Sequence, residues 1–344
     1  MANYSLTYIF FFPSFCASEP RNCGVIKKTF IMIDHEKFIP LSRVNRKLKL
    51  RYSITLSSFA HLEPVERTLE RLQSQGYDAV EMFGEPKKME MKKLRDILDS
   101  FSLPVCGVTG MWGSVSEDGW KRKILSADRS ITKHSEEYVM ECIKMCQFVG
   151  GNEMNICLFA DNEMVSFDRN HRALSEDRKG VVTQKAIPLL AKLSRFAEDH
   201  GVHMLLEPLN RYSTPFCCTA KDALGIASKV NQDNFGILLD TFHMNIEEDS
   251  FEDAILKSRN LLRHMHFADN NRKMPGYAHT NFLSIMRSLS GIGYNGYASF
   301  EPILSDKNYE TFTRKGLEHI RSIEKSLSST SLSPSSFSNP AVVN

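Results

Sequence analysis

The sequence predicts an α/β protein built as a single (β/α)8 barrel, or TIM barrel, and three observations lead to this fold class. Eight short apolar runs alternate with segments of helical period along the chain. The apolar runs are nearly continuous, which is typical of parallel strands buried on both faces. Polar residues interrupt several runs at their carboxyl-terminal ends, the face where barrel chemistry lies. An open doubly wound sheet is the alternative, but no GxGxxG motif follows the first strand.

Each predicted strand is rich in β-branched, aromatic and other apolar residues. In chain order the strands are RYSITL, DAVEMF, LPVCGV, EMNICLF, VHMLLE, FGILLD, HMHFAD and YASFEP. Amphipathic segments between them indicate helices, for example PVERTLERLQSQG, EYVMECIKMCQFVG, AIPLLAKLSRFAEDHG, TAKDALGIASKV and TFTRKGLEHIRSIEKSL. Several of these segments end in glycine, which is typical of helix carboxyl termini.

Composition and charge exclude several classes of protein. The 344 residues are 42% hydrophobic and 24% charged, which suffices for a full core. The 43 basic and 41 acidic residues leave a net charge of +2, so we expect neither a nucleic-acid nor a membrane partner. The eight cysteines form no CxxC motif, and several lie in apolar runs such as VCGV. Such cysteines favour a reducing compartment, and we expect a cytoplasmic protein.

The two ends differ in composition from the middle. Residues 1–47 contain the apolar run YIFFF, but no positive charge precedes it and Pro13 interrupts it, which argues against a signal peptide or a membrane span. We expect a disordered or non-native extension there. The Ser- and Pro-rich residues 327–344 are expected to form a disordered tail. The barrel domain is therefore predicted to cover residues 48–326.

Four metal-capable side chains occur at the ends of four successive strands: Glu207, Asp240, His266 and Glu301. Each one alone is more typical of a helix cap, a loop residue or a core histidine, and His264 is a rival of His266 on the same strand face. Together they point to a site at the barrel mouth. Three carboxylates and one imidazole suit Mn²⁺, Mg²⁺ or Co²⁺, and a cation would relieve the repulsion between the carboxylates.

The motifs LLEPLNRY, LLDTFHMNIEE, HMHFADNNR and FEP resemble those of the xylose-isomerase-like TIM barrels, and most of all the D-tagatose 3-epimerase and D-allulose 3-epimerase group. The resemblance covers nearly all of the region from Leu48 to Glu324. It implies the same four metal ligands, usually with Mn²⁺ or Co²⁺. It also implies that Glu207 and Glu301 are the catalytic acid and base that invert C3 of a ketose through an enediolate. His243 and Arg272 would hold the substrate oxygens.

The sequence departs from this group at Ser213, where a second glutamate is common. A hydroxyl supplies no charge, so the preferred sugar is open, and inososes or an aldose–ketose isomerisation on the same site are alternatives. Trp112 is expected either to form an apolar wall for the sugar or simply to pack. His61 and Glu81, after strands one and two, are further pocket candidates.

The remaining expectations concern an alternative function, the binding partner and the oligomeric state. The same superfamily includes apurinic-site endonucleases, which need several metal ions and extra histidines. Only His279 follows His266 at a suggestive distance, and the near-neutral charge does not favour DNA binding, so this alternative is the weaker one. A small sugar or keto-polyol is the expected partner. By resemblance the protein is expected to be a homodimer or homotetramer.

Overall fold

Eight parallel strands form the centre of the fold in the computed structural model, which describes residues 48–88, 90–112, 116–161, 174–305 and 308–330. The expected extension 1–47 and residues 331–344 of the expected tail lie outside the described residues. All eight predicted strands are present. Their bounds are β1 Arg51–Ile54, β2 Val80–Phe83, β3 Val105–Thr109, β4 Glu153–Ile156, β5 His203–Leu206, β6 Phe235–Asp240, β7 Leu262–Phe267 and β8 Tyr297–Phe300.

The strands follow one another around a nearly closed barrel. Their order is β1-β8-β7-β6-β5-β4-β3-β2, and every pair is parallel. β1 and β2 meet through a parallel bridge between Thr55 and Glu81. The predicted (β/α)8 fold is therefore confirmed.

Helices flank the strands, and glycine ends two of them as the sequence predicts. Gly76 and Gly150 each have φ 83°, the left-handed conformation that a side chain disfavours. The last helix continues to Thr330, so residues 327–330, assigned to the tail above, are helical. The described helices are α1 Val65–Gln75, α2 Met91–Asp99, α3 Arg129–Val149, α4 Glu176–Gln184, α5 Ile187–Asp199, α6 Ala220–Val230, α7 Thr241–Glu247, α8 Phe251–Ser258, α9 Phe282–Gly291 and α10 Tyr309–Thr330. None of these helices is long and apolar enough to cross a membrane.

The two faces of the strands differ in polarity. Phe267 of β7 packs on Phe282 of α9, with ring centroids 5.4 Å apart, so this face of the strand contributes to the layer between barrel and helices. The alternate residues His264 and His266 are buried among polar groups of other strands. Bulky branched residues usually fill such barrels, and a polar interior therefore needs a structural or functional reason.

Strand register brings the predicted site residues to one level. Asp240 lies opposite His266 in the pairing of β6 with β7. Glu207 and Glu301 directly follow β5 and β8, one residue beyond the strand ends. Their backbone N–H groups still donate to the neighbouring strands, to the carbonyl groups of Ile156 and Phe267. All four side chains therefore start from the carboxyl-terminal rim of the barrel.

Candidate metal and substrate site

The four predicted strand-end residues come together in the structure. Glu207, Asp240, His266 and Glu301 each offer one ligand atom, and these atoms lie within 4.8 Å of one another. The first three residues are buried, and the side chain of Glu301 is 14% exposed. The group thus lies at the floor of the barrel mouth, shielded from bulk water.

One ring nitrogen of His266 faces all three carboxylates. Its Nδ1 is 3.1 Å from Oε2 of Glu301, 3.7 Å from Oε1 of Glu207 and 4.0 Å from Oδ2 of Asp240. The opposite ring nitrogen, Nε2, faces away from them. The imidazole can therefore present one nitrogen to a ligand at the mouth while the other contacts the barrel interior.

Two buried atoms of this group have no hydrogen-bond partner, namely Oε1 of Glu207 and Nδ1 of His266. The other oxygen of Glu207 accepts a hydrogen bond from Nδ2 of Asn155 at 2.7 Å. Buried polar atoms without partners are rare, so their convergence calls for a bound group. Three carboxylates and one imidazole suit a hard or borderline divalent cation. The residues present therefore fit a metal ion.

Charge is concentrated here, and it shifts the ionisation of the group. Burial raises the pKa of Asp240, and nearby Glu301 adds to this shift while Arg272 opposes it. Burial would also raise the pKa of Glu301, but Arg272 and His266 outweigh it and hold that pKa well below its ordinary value. Burial disfavours the imidazolium of His266, yet Glu81 and Glu301 raise its pKa well above the ordinary value. Positive charge is thus strongly favoured beside these carboxylates.

Arg272 supplies part of that positive charge. Its guanidinium donates from Nη1 to Oδ2 of Asp240 and from Nη2 to Oε2 of Glu301. It also lies 4.9 Å from the centre of the Phe242 ring. With φ at 60°, Arg272 adopts a backbone conformation that is uncommon outside glycine. The sequence-predicted substrate residue is thus held at the mouth in a specific, unusual loop conformation.

Asp269, which the sequence analysis did not single out, shapes that loop. Its carboxylate accepts hydrogen bonds from the backbone N–H groups of Gly276, Ala278 and Thr280, at 2.9 to 3.1 Å. Its carbonyl accepts one from the N–H of Arg272 at 2.8 Å. Burial alone would raise the pKa of Asp269, but the hydrogen bonds lower it. Asp269 therefore stays ionised and fixes the path that places Arg272.

His243 lies beside the four-residue group. Its Nδ1 is 3.1 Å from the backbone N–H of Asn210 and 2.7 Å from Nδ2 of the same residue. Because the backbone N–H can only donate, Nδ1 must accept and the ring proton lies on Nε2. That Nε2 is buried without a partner, 4.0 Å from Oδ2 of Asp240. His243 can therefore donate one hydrogen bond to a ligand.

His264 and Glu81 lie next to the mouth group but have different surroundings. Nδ1 of His264 is 2.6 Å from Oε2 of Glu153, and Nε2 is 2.7 Å from Oγ of Ser299. Glu81 accepts a hydrogen bond from Thr109 at 2.7 Å, and burial, which would raise its pKa, is outweighed by the two histidines, which lower it to about 2. Glu81, His264 and His266 are close enough to hold a metal. Their facing atoms are already hydrogen-bonded, however, so this second group is a hydrogen-bonded layer.

A cleft of about 520 Å³ opens above the four-residue group. Trp112, Ser213, His243 and Arg272, all predicted to contact substrate, line it together with Glu301. Trp112 is 40% exposed and packs edge-on against Phe159, so it both lines the cleft and packs against a neighbouring ring.

Three other sequence candidates lie away from the cleft wall. His61 and Glu81 are not among its lining residues, and His61 is exposed. His279, considered for an endonuclease site, is exposed as well. The endonuclease alternative therefore gains no support from these residues.

Asn155 and Asn210 are, besides Asp269, site residues that sequence reasoning missed. Asn155 lies near the end of the observed strand β4, Glu153–Ile156, but in the middle of the longer predicted run EMNICLF, so the strand-end rule that found Glu207 did not find it. Asn210 contacts His243 only because of the path of the loop after β5, and the sequence gives no simple signal for it.

Comparison with known proteins identifies the family to which this chain is similar. A family model described as the xylose isomerase-like TIM barrel matches residues 69–323. The chain is 37% identical to the D-psicose 3-epimerase of Ruminiclostridium cellulolyticum over 128 residues, which are 37% of this chain and 43% of that protein. It is 26% identical to the L-ribulose 3-epimerase of Mesorhizobium japonicum over 265 residues, 77% of this chain and 84% of that protein. The first of these alignments therefore spans less than half of the relative.

Solved structures show the same fold. The D-psicose 3-epimerase from Clostridium cellulolyticum H10, solved with D-tagatose, has a TM-score of 0.67 to this chain at 20% identity. The match covers 80% of this chain and 99% of that one.

Proposed function

Because the chain belongs to the family of xylose isomerase-like TIM barrels, we propose that it is a divalent-metal-dependent sugar epimerase that inverts C3 of a ketose. Family membership confirms the resemblance predicted from the motifs. The relatives named above are epimerases of sugars, and they support an isomerase-class activity for this chain. Substrate, ion and mechanism are parts of the proposal.

One observation carries the proposal. Glu207 and Glu301, which come from strands on opposite sides of Asp240 and His266 in the sheet order, present oxygens within 4.8 Å of each other beneath the cleft. Two carboxylates on either side of one carbon are what an inversion by proton removal and return requires. A single acid–base group would return the proton to the face from which it came.

The side chains of the mouth have separate roles in this proposal. A divalent cation, Mn²⁺ or otherwise Co²⁺ or Mg²⁺, held by Glu207, Asp240, His266 and Glu301 would stabilise the negative charge that develops on the substrate oxygens. One glutamate takes the C3 proton, and the other delivers a proton to the opposite face. His243 donates from Nε2 to a substrate oxygen, and Arg272 orients the same end of the sugar.

The substrate is less narrowly defined than the reaction. Ser213 lines the cleft where a charged residue is common in the D-tagatose and D-allulose 3-epimerase group, so this end of the sugar meets a hydroxyl. Proton return to the neighbouring carbon would give an aldose–ketose isomerisation, and an inosose is the alternative substrate class. A cytoplasmic homodimer or homotetramer remains our expectation for location and assembly.

The test is deuterium exchange followed by NMR. The protein is incubated with Mn²⁺ in D₂O with free ketoses, ketose phosphates and inososes. We expect deuterium at C3 together with the C3 epimer. Deuterium at C1 would indicate an isomerase, and no exchange in metal-loaded protein would contradict the proposed substrate classes.

A matched pair of variants tests the two-glutamate mechanism. Glu207→Gln should lower the exchange rate by about 10²- to 10⁴-fold, the usual contribution of a general acid or base. Glu198→Gln makes the same change on the exposed surface of α5 and should leave the rate unchanged. Substantial exchange in Glu207→Gln would refute the assigned role.

A further inference from the structure

We propose that Glu81, on β2, is a positioning residue that holds the proton of His266 on Nε2 and thereby keeps Nδ1 free to bind a metal ion. This inference rests on the proposed metal site. It adds a residue outside the four-residue group and outside the cleft wall.

The geometry of His266 gives its two nitrogens different partners. Nε2 is 3.1 Å from Oε2 and 3.3 Å from Oε1 of Glu81. Nδ1 faces Glu207, Asp240 and Glu301 and has no hydrogen-bond partner. A carboxylate only accepts hydrogen bonds, so its contact with Nε2 requires the N–H there. The lone pair of the neutral ring then lies on Nδ1, which points to the metal-type ligands.

Without Glu81, the imidazole proton of His266 would be drawn from Nε2 to Nδ1. Nδ1 is 3.1 Å from Oε2 of Glu301, a carboxylate able to accept its proton. The tautomer with the proton on Nδ1 would pair with Glu301 and could not bind a cation through that nitrogen. Glu81 therefore competes with Glu301 for the imidazole proton. Its position behind the ring decides the competition in favour of metal binding.

Glu81 is itself fixed by its neighbours. It is 2% exposed, and its Oε1 accepts a hydrogen bond from Oγ1 of Thr109 at 2.7 Å. Its backbone takes part in the bridge to Thr55 that joins β1 to β2. Nε2 of His264 lies 3.7 Å from Oε2. A side chain fixed by strand pairing and a hydrogen bond can orient a ligand more accurately than a loop residue.

A direct metal role for Glu81 is the competing explanation. Glu81, His264 and His266 are mutually close. However, Glu81 already accepts from Thr109 and His266, and both nitrogens of His264 contact Glu153 and Ser299. The unpartnered atom of His266 points to the other group. Glu81 is therefore placed to act through His266.

The substitution Glu81→Gln tests this role because it keeps the size of the side chain. Thr109 donates to Oε1, so the amide oxygen is favoured at that position and the amide nitrogen faces His266. An amide N–H opposite Nε2 favours the tautomer with the proton on Nδ1. In the parent protein without metal, at a pH above the raised pKa of His266 at which the ring is neutral, long-range ¹H–¹⁵N NMR of labelled histidine should show its single ring proton on Nε2. In Glu81→Gln the Nδ1–H form should appear, and Mn²⁺ affinity should fall by about 10- to 100-fold, as for other partners of metal-bound histidines.

Glu153→Gln is the matched control, because Glu153 contacts His264 in the way that Glu81 contacts His266. It should leave the His266 signals and the Mn²⁺ affinity unchanged. Should Glu81→Gln fail to fold, Thr109→Val removes the hydrogen bond to Oε1 and should change both readouts in the same direction by less.

Three results would overturn the inference: an unchanged tautomer and affinity in Glu81→Gln, an equal loss of affinity in Glu153→Gln, or a parent protein that binds no Mn²⁺. The last result would also refute the proposed metal site. Metal binding with the expected tautomers but without any sugar epimerisation would support the role of Glu81 and refute only the proposed activity.

Discussion

His264 and His266 lie two residues apart on the same face of β7 and belong to two polar layers of the barrel interior. The deep layer consists of His264, Glu153 and Ser299, and the mouth layer consists of Glu207, Asp240, His266 and Glu301. The polar atoms of the two layers differ in their hydrogen bonding. Both nitrogens of His264 have close partners, Glu153 and Ser299. In the layer of His266, Nδ1 of the ring and Oε1 of Glu207 are buried without a hydrogen-bond partner. The deep layer is complete by itself, whereas the mouth layer needs a bound group. Between these two levels of the barrel, the unsatisfied buried atoms therefore mark the one that is suited to a ligand, although both levels contain histidine and carboxylates.

The largest expected effect separates the two histidines by metal affinity. His266→Gln removes a ligand, so Mn²⁺ affinity should fall by more than the about 10- to 100-fold that loss of a ligand's hydrogen-bond partner causes. His264→Gln should change the affinity much less, because His264 lies 3.7 Å from Glu81 and edge-on to the ring of His266, while its two nitrogens contact Glu153 and Ser299. Isothermal titration of both variants with Mn²⁺ measures the difference. Equal losses would show that the two layers act as one site.

The next effect concerns stability in the metal-free protein. His264→Gln leaves at least one of Glu153 and Ser299 without its partner, so the free energy of unfolding should fall by about 1–3 kcal/mol. Urea unfolding followed by circular dichroism measures this change, with the slope on denaturant as a check on two-state behaviour. A His264→Gln protein as stable as the parent would contradict the description of the deep layer as a satisfied network.

The fold was predictable because strand and helix periods are local properties of the sequence. All eight strands appear where apolar runs occur, although their ends shift: β5 stops at Leu206, one residue before the predicted Glu207, and β7 begins at Leu262, two residues before the predicted start. Helix α3 starts at Arg129, well before the apolar segment that indicated it. Hydrogen bonding sets these boundaries, and side-chain type specifies them only weakly.

The candidate site was predictable where it depends on strand ends. Glu207, Asp240, His266 and Glu301 converge because parallel strands end on one face of the barrel. The alternation of side chains along a strand places His264 and His266 on the same face, but it does not tell which of them lies at the mouth. The strand register of the structure was needed to choose between them as the metal ligand. The hydrogen bonds of Asp269 depend on the path of a loop, which local sequence does not specify.

The smallest expected effect is a change in the free energy of unfolding of the metal-free protein, and it has opposite signs in the two layers. Metal-free Glu207→Gln replaces a negative charge beside Asp240 and Glu301 by a neutral amide, and its oxygen can still accept from Asn155. We expect a gain of about 0.5–2 kcal/mol in unfolding free energy, as for other stabilising changes at sites kept strained for function. Glu153→Gln makes the same change in the deep layer and should destabilise, because His264 then contacts a neutral amide in place of a charged carboxylate.

Bound metal should make Glu207→Gln less stable than the parent, whereas the destabilisation caused by Glu153→Gln should remain. Mn²⁺ at a concentration of 100 times its dissociation constant stabilises the parent by about 2.7 kcal/mol, whereas Glu207→Gln, lacking one anionic ligand, gains less. Thermal unfolding of the parent, Glu207→Gln and Glu153→Gln, each with Mn²⁺ and with EDTA, measures both changes. If Glu207→Gln were destabilised in EDTA as much as Glu153→Gln, the carboxylates of the mouth would already be satisfied without a metal ion. Any difference between the two layers in their effect on stability would then have to come from packing.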